Sequence, residues 1–368
     1  MAGTAYHLWA ATLLKRFAAR PAPRPVSRPP VSLLKPLCGD EPDLDVNLAS
    51  FAALDYPDFQ LVFGVHEAAD TALPVVERLR AARPDLDIAL VVGTGRPTDG
   101  NPKIANLLDM MPAAKHEILV VTDSDMNVDA DYLSRVVAVL ERPDVGIATS
   151  LYVGRPTGSV WSRLGAMGIN HGFLPSVMVA EAIGRHDGCF GATLALRRAV
   201  LESVGGFQAL RPQLADDYLL GAAVRERGLA IGLVPTLPRS LADERDLPQL
   251  MAHEVRWGRT LASIDRVGYI ASLVTQAVPL ALVAVLIGRD VGMAAVMGLA
   301  LAGRLWAVGV EARSLGVERP PAWMVVARDL LSLVVQGVAL SGRTVRWRGR
   351  RFRIGRRGVL LPFEETRS

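Results

Sequence analysis

The 368-residue sequence predicts an α/β domain built on a mostly parallel sheet, followed by a C-terminal α-helical membrane bundle. Three observations predict it. Between residues 31 and 265, short β-rich runs alternate with helical patterns, the sequence form of βαβ units. From 268 to 341 the chain is strongly apolar. Half of all residues are hydrophobic and the mean hydropathy is +0.26, high for a soluble protein. These shifts divide the chain into residues 1–30, an N-terminal anchor and linker; 31–265, the α/β domain; 266–342, transmembrane or interfacial helices; and 343–368, an arginine-rich tail.

The opening run "YHLWAATLLKRF" has only about ten apolar residues, short of the roughly 20 that cross a bilayer. It reads as an interfacial anchor or a truncated span. The "RPAPRPVSRPP" that follows is a tether that proline keeps from being helical inside. "VSLLKPL", "QLVFGVH", "DIALVVG" and "EILVVTD" then read as strands, with further strands at "VGIATSLYV" and "GATLALRR". Helical patterns begin at Asp70, Pro102 and Asp129. Residues 91–100, "VVGTGRPTDG", match neither the dinucleotide nor the Walker glycine spacing and read as a flexible loop at a strand's carboxyl end.

Three apolar stretches close the chain. Residues 268–288 hold 21 residues without a charge, enough at about 1.5 Å each to cross a core of roughly 30 Å. Residues 291–310 carry Arg304, and 323–342 carry Arg328 beside Asp329, a pair expected to compensate each other. Residues 343–357 contain eight arginines and no acid, a juxtamembrane cluster suited to anionic lipid. With no aromatic-interleaved basic face elsewhere, nucleic acid is not an expected partner. An arginine tail belongs on the cytoplasmic side. Three full spans would put it outside, so one stretch should not cross, and Arg304 makes 291–310 the one expected to fail. Cys38 and Cys189 give no spacing for a metal site or disulfide framework.

Chemistry concentrates in "VVTDSDMNVDADYL", residues 120–133. Asp123, Asp125 and Asn127 begin like a calcium loop, but Val128 replaces the obligatory glycine and Ser134 the bidentate glutamate. The alternative is a strand ending in Asp-x-Asp at the carboxyl edge of an α/β sheet, where ligands bind. Two hard carboxylates there suit Mg²⁺ or Mn²⁺ on a diphosphate, while Asp129 and Asp131 read as the start of the next helix. Asp87 opens a strand, Asp216 and Asp217 open a helix, and Arg256 with Trp257 precede the apolar stretches. Taken singly, these also read as a turn residue, an N-cap and an interfacial pair. His253-Glu254 is not a zinc motif, since Trp257 stands where the second histidine would be.

In this order the residues resemble the lipid-directed glycosyltransferases of families 2 and 21, which share a GT-A (Rossmann-like) fold and a D, D, D, (Q/R)-x-x-R-W signature. The ceramide glucosyltransferase group is the most similar: the L-K-P-x-x-G opening, the N-L pair, L-D-Y-P, "GNPKIANL", "LADDYLLG" and the final R-W all match. "SLLKPLCGDEP" and "VRWRGRRFRI" look most like the bacterial hopanoid-biosynthesis-associated members. Departures are His253 in place of Gln or Arg, Asp216-Asp217-Tyr218 for E-D-Y, and Asp123-Ser124-Asp125 for D-S-G.

The resemblance implies that Asp87 binds uridine, that Asp123 and Asp125 hold Mg²⁺ or Mn²⁺, and that Lys103 reaches the nucleotide. It implies Asp217 as the base for inverting transfer, Arg256 as a phosphate clamp and Trp257 at the sugar or the interface. His171, within the interrupted apolar residues 161–184, and His253 would lie on the acceptor side. The implied partners are a UDP-sugar, a lipid acceptor and the membrane, with the catalytic domain on the cytoplasmic face of a bacterial inner membrane. The expected reaction is N-acetylglucosamine transfer to a hopanoid such as bacteriohopanetetrol, with glucosyl transfer to ceramide as the alternative. A polysaccharide synthase, which needs more membrane helices, and a non-catalytic nucleotide-sugar binding protein are the competing classes.

Overall fold

The computed structural model describes residues 1–39, 41–95, 100–185, 188–347, 350–355 and 358–362. Arg348, Arg356 and Arg357 of the basic tail and residues 96–99 of the 91–100 loop lie outside them. In chain order the elements are α1 (Ala2–Ala18), β1 (Val31–Pro36), α2 (Leu44–Ala52), β2 (Phe59–Val65), α3 (Leu73–Ala82), β3 (Asp87–Val92) and α4 (Pro102–Met110). Then come β4 (Ile118–Val121), β5 (Met126–Asn127), α5 (Tyr132–Leu140), β6 (Val145–Thr149), β7 (Val153–Pro156), α6 (Val160–Gly168) and α7 (Leu174–Ala182). These are followed by β8 (Leu194–Arg197), α8 (Arg198–Ser203), α9 (Asp216–Glu226), β9 (Ala230–Leu233) and β10 (Arg239–Ala242). The chain ends in α10 (Leu247–Ile264), α11 (Arg266–Ala271), α12 (Ala277–Gly288), α13 (Val291–Leu315), α14 (Ala322–Leu340), β11 (Thr344–Trp347), β12 (Arg350–Ile354) and β13 (Leu360–Pro362).

These elements form two compact units, each discontinuous in sequence. One comprises Pro21–Val153 and Asp187–Leu241; the other comprises Met1–Arg20, Gly154–His186 and Ala242–Ser368. The first is the mostly parallel α/β domain. Its seven-stranded sheet runs β3-β2-β1-β4-β8-β6-β9, parallel throughout except where β8 runs against β4 and β6. Strand alternation separates two cores. Val31, Leu33, Leu61 and Phe63 face α2, α3 and α5, while Leu34, Val62, Leu119 and Val121 face α4 and α9. All six expected strands form. Asp129 and Asp131 precede α5 but do not cap it with their side chains: Asp129 pairs with Arg239 and Asp131 with Arg135. The proline-rich tether is anchored too, because the Val26 and Ser27 N–H groups donate to the Glu141 carboxylate, each at 2.7 Å.

The second unit is a helical bundle carrying a small antiparallel sheet, β11-β12-β13. That sheet is formed by the arginine-rich tail, and its Val345, Phe352, Ile354 and Leu360 are buried. Helix α1 is not a free anchor, since it packs on α13 and α7 and buries Ala10, Leu14 and Phe17.

The first apolar stretch is broken. Between α11 and α12 lie a short 3-10 turn and a 65° bend, and Pro279 in the first turn of α12 has no N–H to continue a ladder. Carbonyls freed at the break must find donors in an apolar bundle. Gln336 donates to the Tyr269 carbonyl at 2.7 Å, and His7 Nε2 donates to that of Thr275 at 2.9 Å. Helices α13 and α14 are each long and apolar enough to cross a membrane, making two candidate spans, or three if the bent pair counts as one.

This corrects two expectations. The 291–310 stretch is not the interrupted one, because Arg304 is neutralised: its guanidinium forks onto Asp329 at 3.0–3.2 Å. Arg328 and Asp329 do not compensate each other either, since Arg328 instead bonds Glu254 from α10. Side chains of neighbouring residues on a helix point apart, so each seeks a partner on another helix. A paired charge avoids the roughly 2.5–3.5 kcal/mol that a lone arginine costs at a membrane centre.

If only α13 and α14 cross, the segment before α11 and the tail lie on one side and the 316–321 loop on the other. In intact cells, with Cys38→Ser as background, a membrane-impermeant maleimide should label Glu318→Cys and spare both Arg266→Cys and Arg343→Cys. Labelling of just one of the last two would make the bent pair a third span.

Candidate active site

The motif Gly100-Asn101-Pro102-Lys103 builds one wall of the site in the α/β unit. Gly100 has φ +92°, and a Cβ there would lie 2.2 Å from the Arg211 carbonyl oxygen, so only glycine fits. Asn101 is fully buried and caps α4, its Oδ1 accepting from the N–H groups of Lys103 and Ile104. Its Nδ2 donates to the Gln213 carbonyl at 2.9 Å and to Asp216 Oδ1 at 3.1 Å. Pro102 suits the first helical position, where an N–H would go unused. Lys103 is thereby aimed at the tip of β4: its Nζ sits 2.6 Å from Asp123 Oδ1 and 4.0 Å from Asp216 Oδ2. Burial works against its charge, but Asp123, Asp216 and Asp217 together raise its pKa.

The β4 tip is tied at each residue. The buried Lys35 amine donates to the Asp123 carbonyl at 2.8 Å. The Ser124 hydroxyl donates to Glu41 at 2.6 Å, and that of Ser240 to Asp125 Oδ2 at 2.5 Å. Burial and then the charge of Asp123 push Asp125 upward. Burial takes Lys35 down to about 7, against the pull of Asp125, Asp123 and Glu41. Two crowded carboxylates of this kind favour a cation between them, and Mg²⁺ or Mn²⁺ commonly takes only one or two protein carboxylates beside phosphate and water. The donor set of Asp123 and Asp125 fits that use. Among the described residues, no three His, Cys, Asp or Glu side chains are grouped to hold a metal by themselves.

Asp216 and Asp217 open α9, whose N-cap is Ala215. Asp216 is therefore not the cap, and its buried carboxyl faces Asn101 and Lys103. Asp217 is half-buried, with Oδ2 accepting from Gly191 N–H at 3.0 Å and Oδ1 from Tyr218 N–H at 2.7 Å. Burial, then the neighbouring Asp216 carboxylate, raises it to about 6. The groups converge at Gly191. A Cβ built there would be 3.1 Å from Asp123 Oδ2, 3.3 Å from Lys103 Nζ and 3.6 Å from Asp217 Oδ2.

Asp87 does not join them. In register it is level with Gln60, Ser32 and Leu119, at the amino edge of the sheet, whereas Asp123 follows the carboxyl end of β4. It forms an exposed ion pair with Lys115 at 2.7 Å. The uridine role expected for Asp87 therefore finds no support in its position, which is apart from Asp123, Lys103 and Asp217.

The other expected residues lie in the helical unit. His253, Arg256 and Trp257 are all half-buried on α10. His253 Nδ1 is 2.7 Å from Glu244 Oε1, and its ring meets Trp257 edge-on at 4.6 Å. His171 lies in a π-helical turn between α6 and α7, fully packed, with Nδ1 2.9 Å from Glu311 Oε2. Such turns often mark functional places in helices.

Sequence reading missed Lys35, Asn101, Gly191 and Ser240. Lys35 carried a signal, being the only charged residue in an otherwise buried strand. Gly191 and Ser240 carried none, since each matters only through the tertiary position of its backbone or hydroxyl.

Several known proteins are similar to this chain. Ceramide glucosyltransferase 1 of Caenorhabditis elegans is 26% identical over 217 residues, 58% of this chain and 46% of that protein. The ceramide glucosyltransferase of Komagataella phaffii is 31% identical over 134 residues, 35% of this chain and 26% of that one. The chain thus spans about half or less of the length of these relatives. Among solved structures, the mannosyltransferase PcManGT from Pyrobaculum calidifontis, in complex with GDP-Man and Mn²⁺, aligns over 92% of this chain and 95% of its own. Its TM-score is 0.53 at 21% identity, a likeness of fold. The description of glycosyl transferase family 21 matches residues 1–360, and the chain belongs to that family.

Proposed function

We propose that the chain is a membrane-bound inverting glycosyltransferase that moves a sugar from a UDP-sugar to a lipid hydroxyl. The observation that carries this reading is the convergence of Asp123, Lys103 and Asp217 around Gly191. It puts a cation, a metal-competent carboxylate and a weakly acidic carboxyl within a few ångströms, at the sheet edge where α/β folds bind nucleotides. The curated relatives are ceramide glucosyltransferases, which supports glucosyl transfer to ceramide ahead of N-acetylglucosaminyl transfer to bacteriohopanetetrol.

In this reading Asp217 takes the proton from the acceptor hydroxyl. The acceptor oxygen bonds the anomeric carbon as the bond to UDP breaks, and UDP leaves. A base that titrates near the working pH serves such a step best. Asp217 suits the role better than Asp216 because it is the more open of the two and accepts from backbone N–H groups, whereas Asp216 is engaged by the Asn101 side chain and Lys103. Asp123 and Asp125 would hold Mg²⁺ or Mn²⁺, which supplies Lewis-acid stabilisation of the leaving diphosphate. Lys103 adds a fixed positive charge against the same group. Arg256 is the proposed phosphate clamp, with Trp257, His253 and His171 proposed for the sugar and acceptor side. The α/β unit faces the cytoplasm of a bacterial inner membrane, where UDP-sugars are made, and the arginine-rich tail supports that side.

Radiolabelled UDP-glucose and UDP-N-acetylglucosamine, each incubated with membranes and either ceramide or a polyhydroxylated hopanoid, test the assignment. Labelled glucosylceramide that disappears in excess EDTA is expected. Labelled hopanoid in its place selects the second acceptor, EDTA-resistant product removes the metal, and no labelled lipid from any pairing overturns the reading.

Asp217→Asn keeps the shape and removes the base, so kcat should fall by on the order of 10²–10⁴ with UDP affinity unchanged. In the wild type, activity should decline as the pH falls through about 6, where Asp217 becomes protonated. An inactive Asp216→Asn beside an active Asp217→Asn would reverse the two roles.

A further inference from the structure

We propose that Lys35 is the positioning residue of the Asp123–Ser124–Asp125 turn: from β1, its amine fixes the Asp123 carbonyl and so sets where both carboxylates point. This rests on the metal-assisted nucleotide reading above. Lys35 is wholly buried in β1, and a lysine so placed needs compensation from every side. Its Nζ lies 3.7 Å from the centre of the Phe51 ring, a cation–π seat on its apolar side. On the other side it donates to the Asp123 carbonyl at 2.8 Å, with Thr122 Oγ1 at 3.5 Å.

The backbone explains why a side chain is needed there. The β1–β4 ladder ends with Thr122 N–H donating to the Leu34 carbonyl at 3.2 Å. The following β1 residue but one is Pro36, which has no N–H to extend it. Beyond that point β4 is leaving the sheet. The Asp123 carbonyl is reached by the Met126 N–H only at 3.4 Å and by Thr122 Oγ1 at 3.3 Å, so Lys35 makes the tightest bond to it.

Besides the Ser124 hydroxyl on Glu41, the remaining contacts of the turn are those of the two aspartates, Asp123 with Lys103 and Asp125 with Ser240. Those are the contacts that change when the carboxylates take up a cation. The bond from Lys35 goes to the main chain and stays. Lys35 therefore holds the turn in the same place before and after the metal and diphosphate arrive, a preorganisation that costs the site nothing at the moment of binding.

Calorimetric titration of the full-length, detergent-solubilised protein with UDP, with and without Mn²⁺, tests this. In the wild type Mn²⁺ should tighten UDP binding. Lys35→Met, matched in length but without donors, should keep the metal-free UDP affinity and lose about 10–100-fold of the tightening. Lys35→Arg, which retains donors and charge, should keep part of it. Unchanged tightening in Lys35→Met overturns the proposal. An equal loss with and without Mn²⁺ also overturns it, because that is what general damage to the sheet would do. If Lys35→Met does not fold, a folded Lys35→Arg in which the tightening has vanished contradicts the proposal, and one that retains it supports it. A wild type whose UDP binding ignores Mn²⁺ removes the metal reading, and the proposal with it.

Discussion

Lys103 meets Asp123 at 2.6 Å at the carboxyl edge of the sheet, and most of the candidate site is arranged around that pair. Asn101 caps the helix that carries Lys103 and at the same time bonds Asp216. Gly100 allows the chain to pass against Arg211 on its way into that helix. The glycine at 191 leaves the space in which Asp123, Lys103 and Asp217 face one another. Four partly or wholly buried carboxylates gathered in one place repel one another unless their charge is compensated. Lys103 and Lys35 supply part of that compensation, and the upward shifts of Asp125, Asp216 and Asp217 mark where it is incomplete. A site in that state is ready for a further cation and for an anionic ligand that brings its own.

The helical unit solves a related problem by different means. Arg304 and Arg328 are buried in a bundle built largely of apolar side chains, and each finds its carboxylate on another helix, Asp329 and Glu254 respectively. Breaking a buried pair by losing one partner typically costs about 3–5 kcal/mol. The pairs therefore tie α10, α13 and α14 in a single register. The broken stretch between α11 and α12 is held in the same way, through polar side chains of α1 and α14 that satisfy the freed carbonyls.

Much of the α/β unit was legible in the sequence because short β-rich apolar runs between helical patterns are local signals. The runs at 31–37, 60–66, 87–93 and 117–123 formed the strands Val31–Pro36, Phe59–Val65, Asp87–Val92 and Ile118–Val121. Asp123, Asp125, Lys103 and Asp217 were singled out together through the family resemblance, and Asp123, Lys103 and Asp217 do converge around Gly191. Asp87 was misread because the family resemblance was weighed without the residue's surroundings: a residue that opens a strand of a parallel sheet lies at the amino edge, away from the edge that holds Asp123. Arg304 was misread for a similar reason: a hydropathy window counts the charge of a residue but not that of its partner 25 residues later. The pairing of Arg328 with Glu254 spans 74 residues and leaves no periodic trace.

A nucleoside diphosphate is proposed to bind at the carboxyl edge around Asp123, Lys103 and Gly191. The most direct measurement is an experimental structure of the full-length protein with UDP and Mn²⁺. The diphosphate is expected against Asp123 and Lys103, with the metal on Asp123 and Asp125. A nucleotide seated at the opposite edge beside Asp87 and Lys115, or a diphosphate that touches neither Asp123 nor Lys103, would contradict it.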